Sequence, residues 1–373
     1  MHPDLPAVRL LAAIACGAGK AQLRARREAV SDEGRLLEIA SMLGISIALD
    51  VAADALDLAV DSRRRLAASA MVSAIARDAS LRLLASLHAG GAPSERAIVI
   101  KGGAMALTHR GTANRVVSDL DVVVPRSDVP VWLDVAARCG ASVHETSGYE
   151  AAHIARERGM IELHLALPGF AGNDAGPGWE LLRTRARPVE GGPWLVPEAP
   201  AAREIAVQHF LFHHFGESSH ALRALQDLTL LEEDGEGEGL DWGGPPVARA
   251  TTRLREIARS IRTGRDDDEP LAFLSGLAGV LGGATARSFA EESRHWVGQR
   301  AGAKAKIALL FRRLVPPLRE MRRSPGESAL TVAARYARRP FELVAKYRAT
   351  ARSDHERTSA LAGWREEVER LGR

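Results

Sequence analysis

Between Pro6 and Pro93 the chain contains no proline. Over that span apolar residues recur at intervals of three and four, as in Leu66, Ala70 and Ala74, or Leu81, Leu84 and Leu87. Such spacing lines one face of a helix, and the Ala/Leu/Arg-rich composition favours the same conformation. A helical module is therefore expected up to the turn Gly90-Gly91-Ala92-Pro93. Beyond it the texture changes to short β-branched runs separated by helical stretches. Ala97–Ile100, Asp119–Val124, Ala141–Glu145, Ala151–Arg156 and Met160–Leu167 read as strands, with helices over Ala104–Arg110 and Asp128–Arg138. After a loop at Pro168–Pro177 and a short β piece at Trp194–Val196, helical spacing returns at Ala201–Phe215 and His220–Glu233. The expected class is α+β: a small mixed sheet flanked by helical regions, divided as 1–92, 93–200 and 201–373.

At 373 residues, with 46% hydrophobic and 26% charged residues, the composition is that of a folded globular chain. No apolar run reaches the length of a membrane span. The segment Leu10–Cys16 has the look of a short signal core, but Asp4 before it and Arg24, Arg26 and Arg27 after it suit a helix better. Cys16 and Cys139 lack the spacing of a disulfide framework or a zinc site, so a cytoplasmic location is expected. Charge is unevenly spread. Residues 300–373 carry 18 Lys/Arg against 8 Asp/Glu, a local +10 that leaves −7 for the remainder. The apolar positions Leu330, Ala334, Phe341 and Val344, like Leu314, Leu318 and Met321, predict that these basic helices pack on the acidic body or close over the acceptor pocket rather than bind nucleic acid.

The stretch that carries chemistry is Lys101-Gly102-Gly103, followed by Asp119-Leu120-Asp121. On a strand Asp119 and Asp121 share a face, with Cα atoms roughly 6.6 Å apart, while Leu120, Val122 and Val124 turn into the core. Two carboxylates so placed repel each other unless cations neutralise them. Relief of that repulsion predicts that neutralising either aspartate holds or raises the metal-free thermal midpoint. In Ile161-Glu162-Leu163-His164 the alternation sets Glu162 beside His164, so Glu162 supplies a third carboxylate from a neighbouring strand. Three oxygen donors without cysteine suit Mg²⁺ or Mn²⁺, and such ions complete their shells with water and substrate phosphates. The glycine pair, read as a turn between strand and helix, lets backbone amides approach a triphosphate. Lys101, one of only five lysines, and Arg115 are the expected counter-charges.

Ile100–Leu107, Arg115, Ser118–Val124 and Ile161–His164 together resemble the poorly characterised bacterial nucleotidyltransferases of the DNA polymerase β-like superfamily. The resemblance runs from about residue 97 to 235, taking in His213, Arg223 and Asp227, and Pro316–Arg348 is similar to that family's basic C-terminal end. It implies Asp119 and Asp121 as ligands of two metals, Glu162 as the third carboxylate, and Gly102, Gly103 and Ser118 as contacts to the phosphates of an NTP such as ATP. The implied reaction moves an NMP from NTP to an acceptor with release of pyrophosphate. A small molecule or peptide is the favoured acceptor, with RNA kept open by the basic tail. The alternatives are a toxin-type nucleotidyltransferase acting on RNA or protein, and a non-catalytic nucleotide-binding module.

Two further motifs carry less. His209, His213 and Glu217 recur at spacing four, as zinc ligands on a helix do, but Phe210 stands where a metalloprotease has its general base. Gly17-Ala18-Gly19-Lys20 mimics the end of a phosphate-binding loop, yet Ile14 and Ala21 occupy the positions that need glycine and a hydroxyl.

Overall fold

A computed structural model describes residues 2–108, 115–146, 150–167, 178–214, 216–232, 244–265, 268–281, 328–356 and 358–372. The N-terminal span folds as α1 (Leu5–Ala15), α2 (Lys20–Arg27), α3 (Glu33–Met42), α4 (Ser46–Ala52) and α5 (Val60–Ala89). The run Leu10–Cys16 lies almost wholly buried in this helical layer, and burial pushes the Cys16 thiol up to about 12.

The sheet comprises β1 (Ile98–Ile100), β2 (Leu120–Val123), β3 (Ser142–Glu145), β4 (Glu150–Arg156), β5 (Gly159–His164), β6 (Ala186–Pro188) and β7 (Leu195–Pro197), in the order β3-β4-β5-β2-β1-β7-β6. It is mixed: β2 runs parallel to β5 and β1 to β7, while the other neighbours are antiparallel. Helix α6 (Lys101–Leu107) follows β1, α7 (Val129–Arg138) follows β2, and α8 (Trp179–Arg183) precedes β6. The α+β architecture expected from the sequence is the one observed.

Alternation along β1 and β2 gives the sheet two different faces. Val99, Leu120, Val122 and Val124 pack with Ile161, Leu163, the C-terminal half of α5 and Trp132 of α7. Ile98, Ile100 and Val123 face the other way, toward Leu182 and Ile205. Because the apolar part of that second face stops at Ile100 and Val123, the polar residues alternating with the first core are left to line a cavity.

After β7 come α9 (Ala199–Gln208), a π-helical turn at His209–His213, α10 (Ser218–Glu232), α11 (Gly244–Thr263), α12 (Asp268–Gly279), α13 (Ala329–Glu356) and α14 (Thr358–Gly372). The helices at the two ends of the chain share one core, in which Leu10, Leu11 and Leu36 meet Leu225, Leu254, Phe273 and Trp364. Trp364 stacks obliquely between Phe210 and Phe273 and donates its indole N–H to the Gly216 carbonyl at 2.7 Å.

Glu232 ends α10 and contacts Arg255, Arg259 and Arg262 of α11. Two expectations change. The glycine pair lies within the first turn of α6, not before it, because the left-handed residue that turns the chain is Lys101 (φ +53°). The stripe on α13 does not pack: Leu330 is 83% and Phe341 76% exposed, and burial falls instead to Val332 of α13 and to Trp364 and Leu371 of α14. Leu314, Leu318 and Met321, and the loop read at 168–177, lie outside the described residues.

Candidate functional site

Strand register assembles the site. Asp121 of β2 lies opposite Ile100 of β1 on one side and Glu162 of β5 on the other, and Glu162 lies opposite His153 of β4. One row of the sheet therefore places an apolar residue, two carboxylates and a histidine side by side on a single face. The next row pairs Val123 with His164 and His164 with Glu150. A register irregularity between Glu150 and Ala152 brings Glu150 and His153, three apart in sequence, onto the same face. That irregularity hides both residues from a reading by strict alternation.

Lys101 follows Ile100 directly, and its left-handed backbone turns the side chain back over the sheet. Its Nζ donates to Asp121 Oδ1 at 2.7 Å, and His164 Nε2 lies 2.9 Å from the same oxygen. A φ of +53° costs a lysine of order 1 kcal/mol, so the turn is held by what the side chain gains. Burial works against a charge on Asp121, but the Lys101 ammonium and His164 hold its carboxyl well below the usual range. His164 also holds Glu162 low, against burial. For Asp119, just before β2, the balance falls the other way: burial first, then Asp121 and Glu162, push its carboxyl up, and Ser118 and the Lys101 charge offset this only in part. Its Oδ1 accepts from Ser118 Oγ at 3.1 Å.

Arg115, expected to be a counter-charge for phosphate, is bound by Asp227 of α10 through Nε and Nη2, the latter at 2.8 Å. Its guanidinium fills the place of a side chain at residue 102, where an added Cβ would meet Nη1 at 2.2 Å. Gly102 is thus required by the close approach of Arg115. Gly103 packs instead on Val99 and Leu120, so a Cβ there would lie 2.7 Å from Val99 Cγ1.

Arg223 of α10 reaches the same cavity by lying across Gly44 of the N-terminal layer. Gly44 has φ +67°, and a Cβ on it would fall 2.1 Å from Arg223 Nε. Burial and the nearby Arg115 lower the Arg223 pKa. The resulting cavity, of about 360 Å³, is lined by Lys101, Gly102, Arg115, Ser118, Asp119, Asp121 and Glu162, together with Glu150, His153, His209, His214, His220 and Arg223. Gly103 does not line it. Glu150, His153, His214 and His220 carried no motif signal in the sequence; they arrive from a bulged strand and from the two sides of the turn between α9 and α10. The His213 side chain lies outside the described residues.

A family model described as uncharacterised nucleotidyltransferase matches residues 32–259, which includes every residue of this cavity. The chain belongs to that family. Its general chemistry is nucleotidyl transfer, so a nucleotide is the substrate class, and divalent metals are usual in it. No curated protein and no solved structure matches the chain. Among the described residues no helix is long and apolar enough to cross a membrane.

The Asp121–His164 contact gives the metal-free protein a testable pH profile. Burial opposes a charge on His164, but Asp121 and Glu162 raise its pKa above the ordinary 6.5. Its contribution to stability is then complete below about pH 6.5 and is lost as pH rises through the raised folded value. Asp121 behaves oppositely: its depressed carboxyl stabilises above about pH 4, and that contribution is lost on acidification. In EDTA the thermal midpoint should plateau between these limits and decline on the alkaline side, and His164→Gln should flatten the alkaline decline. An unchanged decline in the variant would assign it to another group.

Proposed function

We propose that the chain transfers a nucleoside monophosphate from an NTP to an acceptor in this cavity, with pyrophosphate as the leaving group. The observation that carries the reading is the pairing of Asp121 with Glu162 across adjacent strands, in which both donors to Asp121 land on Oδ1 and neither uses Oδ2. A carboxylate so held is oriented and still has an oxygen to give to a cation. Ligand atoms of Asp121, Glu162 and His164 lie within 4.8 Å of one another, and burial, with the charges of Asp121 and Glu162, raises the pKa of Asp119, a cost that a bound cation would relieve.

This donor set fits Mg²⁺ or Mn²⁺, with Asp119, Asp121 and Glu162 as the residues that would hold the ions. Bound there, the ions would neutralise phosphate charge and lower the pKa of the attacking acceptor. The protein's own part is placement. Lys101 and His164 fix the Asp121 carboxylate, Ser118 orients Asp119, and Arg223, which also lines the cavity, offers positive charge to the polyphosphate. Arg115, held by Asp227, keeps α6 against α10 and adds its charge from behind Gly102. A cavity of this volume suits a small ligand such as a nucleotide, and the acceptor proposed to meet it there is a small molecule or a peptide end.

The test is incubation with α-labelled NTPs and Mg²⁺, following pyrophosphate release and transfer of label to small-molecule, peptide and RNA fractions of a cell extract. Label should move in the wild type and not in Asp119→Asn. Release of inorganic phosphate in place of pyrophosphate would refute nucleotidyl transfer, and labelled RNA would replace the proposed acceptor class with the toxin-type reading.

A further inference from the structure

Three histidines from two helical elements converge in the cavity that the carboxylates also line. His209 opens the π-helical turn after α9, His214 closes it, and His220 stands in the first turn of α10. The Nε2 atoms of His209 and His214 are 3.1 Å apart, with the rings perpendicular at a centroid distance of 4.4 Å. His220 stacks on His214 at 3.5 Å between centroids, and one ring nitrogen from each of the three lies within 4.8 Å of the others.

Three imidazoles in one place suit a cation of intermediate softness much better than they suit Mg²⁺. Two nitrogens held about 2.0–2.1 Å from a tetrahedral zinc stand roughly 3.3 Å apart, close to the observed separation of His209 and His214. The fourth group explains the orientation of His214: Glu217 Oε2 lies 3.6 Å from its Nδ1, on the opposite side of the ring from His209. A carboxylate there draws the ring proton to Nδ1 and leaves Nε2 as a lone pair aimed at the cluster, the arrangement common behind metal-bound histidines. Glu217 is itself fixed by Ser219 Oγ at 2.6 Å. The His214 and His220 rings, now stacked 12° from parallel, rotate apart in this reading so that the third nitrogen reaches the ion.

We propose that His209, His214 and His220 form a transition-metal site, with Zn²⁺ as its cation, oriented by Glu217 and built from helical residues rather than from the carboxylates of the sheet. The π-helical turn has a structural reason in this reading: the wider turn lets His209 and His214, five apart in sequence, present their nitrogens to one point. Three protein ligands leave a fourth position open to the cavity, which lets the ion bind an anionic group of the substrate. The site is independent of whether the carboxylates catalyse nucleotidyl transfer.

The test uses the full chain, with any affinity tag removed, stripped with chelator and reloaded with Zn²⁺ or Co²⁺. One equivalent of zinc should survive gel filtration, and X-ray absorption should show imidazole nitrogens at about 2.0–2.1 Å. His214→Gln and His220→Gln, checked for an unchanged circular dichroism spectrum, should each abolish stoichiometric binding. Glu217→Gln should weaken it by roughly ten- to a hundredfold. The double variant Asp119→Asn, Asp121→Asn should retain the zinc. Substoichiometric zinc in the wild type, an oxygen-only shell by X-ray absorption, or full occupancy in the folded histidine variants would each overturn the proposal. The wild-type spectrum decides the matter even where a histidine variant fails to fold.

Discussion

Asp121→Asn should lower the stability of the metal-free protein by about 3 kcal/mol, whereas Asp119→Asn should leave the thermal midpoint unchanged or raise it slightly. On a strand read by alternation alone the two aspartates are equivalent, and relief of repulsion predicts the same response from both. Tertiary structure separates them. Asp121 is buried and paired with Lys101 and His164, so its neutralisation leaves an ammonium with about a tenth of its side chain exposed and without the charge of the carboxylate it is hydrogen-bonded to. Asparagine can still accept a hydrogen bond, which places the loss at the lower end for a broken buried pair. Asp119 has carboxylate neighbours and a pKa raised by burial and by their charge, so its neutralisation removes an unfavourable term. Both variants should lose nucleotidyl transfer by about a thousandfold in kcat/KM, since several kcal/mol of charge stabilisation at the reacting phosphate depends on the ions these residues would hold. Thermal unfolding in EDTA and the labelled-NTP assay read the two effects separately. Equal midpoint changes in the two variants would contradict the asymmetric electrostatics, and retained activity in either would contradict the metal assignment.

Asp227→Ala should destabilise the protein by about 3–5 kcal/mol, the range for removing one partner of a buried ion pair. Arg115 and Asp227 have 13% and 7% of their side chains exposed and join through two hydrogen bonds, so the aspartate's loss strands a guanidinium behind Gly102. The damage extends to Arg223, which Asp227 also attracts and Arg115 repels. Urea unfolding of Asp227→Ala gives the magnitude. The double variant Arg115→Met, Asp227→Leu should recover most of the loss, because an apolar pair of similar volume removes both desolvation costs together. A double variant as unstable as Asp227→Ala would assign the loss to packing of α6 on α10 in place of charge. Restored stability should not restore NTP binding, since the double variant has lost a cation that lines the cavity.

Local features were legible in the residues themselves. Helical periodicity without proline marked the N-terminal layer, β-branched runs marked the sheet, and the alternation in Asp119–Val124 and Ile161–His164 told which side chains leave the core. The carboxylates Asp119, Asp121 and Glu162 line one cavity because alternation is a property of a single strand and survives any sheet order. Partnership is not such a property. That Lys101 neutralises Asp121, that Arg115 is held by Asp227 more than a hundred residues away, and that Arg223 needs Gly44 beneath it all depend on which elements pack together. The bulge that aligns Glu150 with His153, and the π-helical turn that sets His209 against His214, break the periods of two and 3.6 on which sequence reading depends. The same limit explains α13: its apolar stripe has the right period for burial, yet burial went to Trp364 of the next helix, because a period specifies a face and only the assembled chain provides the surface that covers it.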